Sequence, residues 1–334
     1  MKFGVLGKSL PHTYSPQIHK EFADYEYTVL ERTEEQVRAI FEGVENLDGF
    51  NVTIPYKKLA ASFCKELSPA AKEIGAVNTV VALPGGGFSG DNTDVFGFTF
   101  MLTNAGIDIV GKNCLILGTG GASAAVNYAL KQMGAGSIKF CSRTGEINYE
   151  NVYEAAADTQ IIINTTPVGM FPEIDNSPVD LSQFKNLEAA ADIVYNPSRT
   201  KFLQQAKELG LKTAGGLSML VAQAYKASEI FKQSAVVEPV ETTASCCSTT
   251  TINTVIEKLQ NQMLNITLIG MPGSGKTTLG KKIAKEQNRK FIDLDDAFKE
   301  EYGITPAQCI TQKGEDEFRQ METQIAKKYF RNLA

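Results

Sequence analysis

The sequence predicts an α/β protein with two full domains and part of a third, and three stretches carry that reading. Strand and helix periodicities alternate from Lys2 to Thr53. The apolar run Asn113 to Leu117 passes directly into Gly118-Thr119-Gly120-Gly121-Ala122-Ser123 and then into a helical pattern. A second run, Ile266 to Ile269, enters Gly270-Met271-Pro272-Gly273-Ser274-Gly275-Lys276-Thr277 in the same strand, loop, helix context. In open α/β sheets such strand ends present backbone amides to ligands.

At 334 residues the chain suits two or three domains. Its 43% hydrophobic and 21% charged residues describe a soluble globular protein, and a net charge of -5 offers no attraction to nucleic acid or anionic membrane. No apolar run reaches the ~20 residues that span a bilayer. Met1 to Gly7 reads as a short strand, too brief for a signal peptide. Six cysteines (Cys64, Cys114, Cys141, Cys246, Cys247, Cys309) show no framework spacing and read as reduced thiols in a cytoplasmic protein. With two histidines in all, His12 and His19, a histidine-rich metal site is excluded.

Lys2 to Leu6 is the first strand. The polar loop from Gly7 to Ser15 follows, with Ser15 placed to cap a helix begun by Pro16. Hydroxyls at Thr13 and Ser15 can bond a small polyol or carboxylate; taken alone, Ser15 is also explained as a cap. Tyr25 to Glu31 alternates as a strand, Glu34 to Glu42 is an amphipathic helix and Gly49 to Thr53 a strand, giving β-α-β-α-β with a parallel sheet. Pro55 stops that strand and leaves Thr53 and Lys57 at its C-terminal end. Helical turns run to Ile74. Asn78 sits in a loop before the strand Val80 to Leu83, and Gly85-Gly86-Gly87 is a turn. Asn92-Thr93-Asp94 then opens an apolar helix to Asn104, offering an N-cap and a carboxylate. A lysine and an aspartate brought together can pass a proton to and from a hydroxyl or carbonyl oxygen, which marks Lys57 and Asp94 as candidates for catalysis.

The glycines of 118 to 121, between a buried strand and a helix to Met133, fit a dinucleotide fingerprint with Ser123 in the third position. The next strand, Ser137 to Cys141, ends in Ser142-Arg143-Thr144. An NAD site would place an acid here; Arg143 suits a 2′-phosphate, so NADP(H) is the expected cofactor. The short span from Arg143 to Ile162 leaves room only for a trimmed helix. Ile161 to Asn164 is a strand ending in Thr165-Thr166-Pro167, and Gly215-Gly216 opens a long helix through Met219 and Gln223. Ser234 to Thr251 reads as a flexible loop and Ile252 to Met263 as a closing helix.

These motifs resemble those of the shikimate dehydrogenases: Asn51-Val52-Thr53-Ile54-Pro55-Tyr56-Lys57, Asp91-Asn92-Thr93-Asp94, His12-Thr13-Tyr14-Ser15-Pro16, Gly75-Ala76-Val77-Asn78-Thr79, Asn164-Thr165-Thr166-Pro167-Val168-Gly169-Met170 and Asp192-Ile193-Val194-Tyr195-Asn196-Pro197. The resemblance implies a two-domain enzyme that reduces 3-dehydroshikimate to shikimate with NADPH, without a metal, in the route to chorismate and the aromatic amino acids. It further implies that Thr13 and Ser15 hold the substrate carboxylate, that Thr53, Asn78, Tyr195 and Gln223 surround the substrate, and that Thr165, Gly216 and Met219 lie by the cofactor beside Gly118, Gly120, Gly121, Ala122, Ser142, Arg143 and Thr144. The implied substrate domain is discontinuous, residues 1–95 and 215–263, around an NADP domain of residues 96–214. A monomer or homodimer is expected, and a quinate/shikimate dehydrogenase is the nearby alternative.

Residues 264–334 form the partial third domain. In the P-loop Gly270 to Thr277, amides of Gly270, Gly273 and Gly275 would cradle phosphate, Lys276 would reach the β/γ-phosphates of ATP and Thr277 would ligate magnesium. Phe291 to Asp295 and Gly314 to Glu322 resemble shikimate kinase, which implies shikimate contacts from Asp295 and Arg319 and a role near the metal for Asp293. Later core elements of that family are missing. The strands Ile266 to Ile269 and Phe291 to Asp293 lack the strand that would lie between them, so the expected module binds phosphate weakly and transfers none. A working bifunctional dehydrogenase-kinase is the alternative.

Overall fold

The computed structural model describes residues 1–11, 13–235, 245–264, 266–271, 273–287 and 289–331. His12 and half of the expected flexible loop, residues 236–244, lie outside the described residues. The chain divides into two compact units, Met1–Leu259 and Gln260–Ala334.

The first unit is built on two sheets. The elements of the first are β1 (Lys2–Gly7), α1 (Ser15–Phe22), β2 (Glu26–Glu31), α2 (Glu34–Phe41), β3 (Gly49–Val52), α3 (Lys57–Phe63), β4 (Glu66–Leu67), α4 (Pro69–Ile74), β5 (Thr79–Ala82), β6 (Phe88–Asp91) and α5 (Asp94–Asn104). Its strand order is β2-β1-β3-β5-β6-β4. Strands β2, β1 and β3 are parallel as expected, but β5 runs antiparallel to both β3 and β6, so the sheet is mixed. The glycine turn explains this: Gly86 and Gly87, both at positive φ, close β5 and β6 into a hairpin, which can only be antiparallel. Helix α2 opens with a capping box between Thr33 and Gln36.

The second sheet follows with β7 (Asn113–Leu117), α6 (Gly121–Gln132), β8 (Ser137–Cys141), α7 (Val152–Ala155), β9 (Ile161–Asn164), β10 (Ala189–Asp192), α8 (Lys201–Glu208), β11 (Lys212–Gly215), α9 (Gly216–Ala235) and α10 (Ser245–Met263). All five strands are parallel in the order β11-β10-β9-β7-β8. Only the single turn of α7 occupies the span after Arg143. Helix α10 begins at Ser245, so the last third of the expected loop is helical. Its stripe Ile252, Val255, Ile256 and Leu259 is buried, and that apolar face extends the helix into a Ser/Thr-rich sequence of low propensity.

Helices α5 and α9 join the two lobes. Phe98, Met101 and Leu102 of α5 are fully buried in the core of the second sheet. At roughly 1.5–3 kcal/mol each, these three side chains outweigh any surface ion pair and set where the helix lies. Gly97 permits the crossing: a Cβ there would lie 2.5 Å from the Met219 carbonyl and 3.0 Å from Gln223 Cβ.

Beneath the first sheet His19 is buried in an aromatic cluster. Its ring stacks on Tyr27 with centroids 4.0 Å apart, and Nδ1 lies 2.6 Å from the Tyr25 hydroxyl. Burial lowers its pKa to about 3, only partly offset by a bond to Asn51.

The second unit contains α11 (Lys276–Glu286), α12 (Leu294–Tyr302), α13 (Pro306–Lys313) and α14 (Glu315–Arg331). Phe298, Cys309 and Ile325 form its core with Ala297. The expected strands at Ile266 to Ile269 and Phe291 to Asp293 are not formed; among the described residues no strand follows Gly215. A strand needs a hydrogen-bonded neighbour, and none lies between these segments, which leaves Ile269 89% exposed.

Because folded His19 stays neutral, its stabilising contribution is complete above pH 6.5 and is lost as pH falls toward 3. Urea unfolding of the wild type and His19→Gln at pH 7.5 and pH 5 should show the wild-type advantage shrinking by about 2 kcal/mol. An unchanged difference would mean that His19 ionises in the fold.

Candidate active site

Lys57 opens α3 one turn beyond β3. The Tyr56 amide donates to the Thr53 carbonyl, and this turn brings the lysine back over the sheet edge. Its Nζ donates to Asp94 Oδ2 at 2.6 Å, with the two side chains 22% and 8% exposed. The other oxygen of Asp94 accepts from Asn78 Nδ2 at 2.9 Å, and the same amide nitrogen donates to Gln223 Oε1 at 2.9 Å. Asn78 Oδ1 accepts from the Thr93 amide at 2.7 Å and from the hydroxyls of Thr93 and Thr79. Four residues singled out from distant parts of the sequence thus meet in one network. Thr93 is the N-cap of α5 but makes no capping bond, because Asn78 takes its hydroxyl.

Thr13 and Ser15 stand on the loop into α1. Ser15 does not cap the helix as expected: Tyr14 occupies the cap position without a side-chain bond. The Thr13 hydroxyl instead donates to Ser15 Oγ at 3.1 Å and accepts from the Ser15 amide. Two adjacent hydroxyls are therefore presented together. Tyr195, from the segment after β10, meets this loop edge-to-face through Tyr14, ring centroids 6.0 Å apart, and burial raises its pKa. The Thr53 amide is spent on the Leu6 carbonyl.

On the second sheet Gly118 has φ +100, and a Cβ there would crowd Thr165 and Thr166 at about 3 Å, so only glycine serves. At Gly120 and Gly121 an added Cβ would meet nothing within 4 Å. The N-terminus of α6, with Ala122 in its first turn, has no side-chain cap and faces open space, which fits a dinucleotide pyrophosphate. Ser123 Oγ donates back to the Gly120 carbonyl at 2.6 Å. Arg143, between Ser142 and Thr144, sits on the tight loop that the Ser142 amide closes on Ile147; it is exposed and, among the described residues, has no ion-pair partner. Thr165 spends its hydroxyl on the Leu117 carbonyl at 2.7 Å, tying β9 to β7 beneath Gly118. Gly216 has a packing role, since a Cβ would lie 2.2 Å from the Ile193 carbonyl; Met219 is buried one turn on.

Asp192 was not among the expected site residues. Fully buried, it accepts from Thr200 Oγ1 (2.6 Å), Asn164 Nδ2 (3.0 Å) and the Val194 amide (3.0 Å), and burial raises its pKa to about 6. Asn164 in turn accepts from the Thr166 amide and hydroxyl. One carboxyl therefore fastens the two loops that follow β9 and β10.

In the second unit Lys276 Nζ donates to its own loop, to the carbonyls of Gly270 and Met271 at 2.7 Å each, and Thr277 Oγ1 donates to Asp293 Oδ2 at 3.2 Å. Gly273, Lys276, Thr277, Asp293 and Asp295 line a cavity of about 730 Å³. Arg319 is exposed on α14 and paired with Glu315. Asp295 and Arg319 are thus in different settings.

Fold and site together define an α/β oxidoreductase whose first unit is built on two sheets. The family model described as the shikimate dehydrogenase substrate binding domain matches residues 5–80. The shikimate dehydrogenase (NADP(+)) of Clostridium beijerinckii is 37% identical over 250 residues, spanning 69% of this chain and 92% of that protein. Among solved structures, a chorismate mutase/shikimate 5-dehydrogenase fusion protein from Clostridium acetobutylicum superposes with a TM-score of 0.70 at 33% identity, covering 78% of this chain and 97% of that one. The Thermus thermophilus shikimate 5-dehydrogenase, solved with NADP(H) and shikimate, gives a TM-score of 0.65 at 30% identity, covering 77% and 99%. The chain belongs to the shikimate dehydrogenase family. The shikimate kinase family model matches residues 272–333.

Proposed function

We propose that the chain interconverts 3-dehydroshikimate and shikimate with NADP(H), and that the Lys57–Asp94 pair manages the proton. The observation that carries this reading is the 2.6 Å contact between them, with Asn78 and Gln223 gathered on the same carboxylate. When bound, NADPH supplies the hydride that the ketone carbon accepts. Lys57 donates its proton to the oxygen that gains charge, and Asp94 holds the ammonium in place. Thr13 and Ser15 bind the substrate carboxylate, while Thr53, Asn78, Tyr195 and Gln223 orient the ring. The amides at Gly120, Gly121 and Ala122 hold the pyrophosphate beside Gly118, whose own amide is spent on the Cys141 carbonyl, and Ser142, Arg143 and Thr144 hold the 2′-phosphate, with Thr165, Gly216 and Met219 shaping the nicotinamide side. Residues 1–95 and 215–263 act as the substrate domain and residues 96–214 as the nucleotide domain.

Residues 264–334 are read as a shikimate kinase-like module that transfers no phosphoryl group. Lys276 bonded to its own loop and Arg319 paired to Glu315 support this, as does the lack of strand pairing among the described residues.

The purified chain should reduce NADP+ with shikimate, slowly or not at all with quinate, and release no ADP when given ATP, magnesium and shikimate. Comparable quinate turnover would broaden the substrate reading; shikimate-dependent ADP release would overturn the inactive-module reading. Arg143→Glu should raise the KM for NADP+ by about 10- to 100-fold, the value of one charge-assisted contact, with little change for NAD+. An unchanged cofactor ratio would remove Arg143 from 2′-phosphate binding.

A further inference from the structure

Tyr27, which no sequence motif marks, lies in the layer beneath the site. Its hydroxyl donates to Asn51 Oδ1 at 2.7 Å. Asn51 Nδ2 donates to the Asn78 carbonyl at 3.1 Å and to Thr79 Oγ1 at 3.0 Å. The two ends of a carboxamide are nearly alike in shape and differ in hydrogen-bonding role. A donor on one side and two acceptors on the other therefore fix which way Asn51 faces. The phenol that makes this choice is itself fixed, because its ring stacks on buried His19 at an interplanar angle of 13°. The Ser15 hydroxyl bonds the same phenol, so Tyr27 also touches the loop before α1. On the far side of Asn51 stands Asn78, whose side chain holds Asp94 and Gln223.

We propose that Tyr27 is a positioning residue that registers the Thr13–Ser15 hydroxyl loop against the Lys57–Asp94 pair by orienting the Asn51 carboxamide. It is not among the residues read above as touching substrate or cofactor. Its action spans the site: one contact reaches the loop read as binding the substrate carboxylate, and the other, through Asn51 and Asn78, reaches the groups read as moving the proton. The inference rests on the function proposed above.

The test is a double-mutant cycle of Tyr27→Phe and Asn51→Ala, assayed with shikimate and NADP+. Phe keeps the stack on His19, and Asn51→Ala keeps the rings of the aromatic layer while removing the carboxamide that Tyr27 and His19 both bond, so the Tyr27–Asn51 link is cut from either end. Each single variant should lose about 10- to 100-fold in kcat/KM for shikimate, the scale of a misplacement near 1 Å. The KM for NADP+ and the thermal midpoint should stay near wild type. In the Asn51→Ala background the Tyr27 change should cost clearly less than in the wild type, because the two variants share the Tyr27–Asn51 contact and only the Ser15 contact is left to lose. Wild-type kcat/KM in Tyr27→Phe, or losses that add in full, would overturn the proposal. A wild-type enzyme inert toward shikimate would instead sink the functional reading beneath it.

Discussion

The close crossing of α5 and α9 is the constraint on which the rest of the first unit depends. Helix α5 begins with Asp94, and α9 carries Met219 and Gln223, so the distance between them decides whether Gln223 can meet Asn78. Gly97 sets that distance by letting the Met219 carbonyl come within 2.5 Å of where a Cβ would stand. A glycine inside a helix costs roughly 0.5–1 kcal/mol against alanine. Burial of Phe98, Met101 and Leu102 on the same helix exceeds that several-fold. Packing therefore carries the stability, and the glycine carries the geometry.

Within that frame Asn78 is the hub. At 2% exposure, it must satisfy every polar atom through protein contacts, and it does so with Asp94, Gln223, Thr93 and Thr79. Such a satisfied network fixes one arrangement of the Lys57–Asp94 pair. The second sheet uses the same device, with Asp192 fastening the ends of β9 and β10 through Asn164 and Thr200.

Much of this was legible in the sequence because the signals are local. Strand β7 entering a glycine turn and helix is a contiguous pattern, and so is Lys57 placed just beyond a strand stopped by Pro55. What escaped depends on distant pairings. Tyr27 and Asn51 stand on strands either side of β1, paired with Phe3 and Val5, and nothing in either neighbourhood announces the bond. The antiparallel turn of the first sheet follows from a hairpin whose partner strand, β6, has a weak signal of its own. At Ile266 to Ile269 local apolar character suggested a strand that no neighbour supports. Ser245 to Thr251 became helical because the buried stripe of α10 lies just beyond it.

The most direct test of the account is single-variant kinetics at Lys57. With Lys57→Ala, kcat for shikimate oxidation should fall by about 10²- to 10⁴-fold while the directly measured shikimate Kd changes little, since Thr13, Ser15, Asn78 and Gln223 remain. Turnover near wild type would take Lys57 out of the mechanism and leave the 2.6 Å pair with Asp94 as a structural contact.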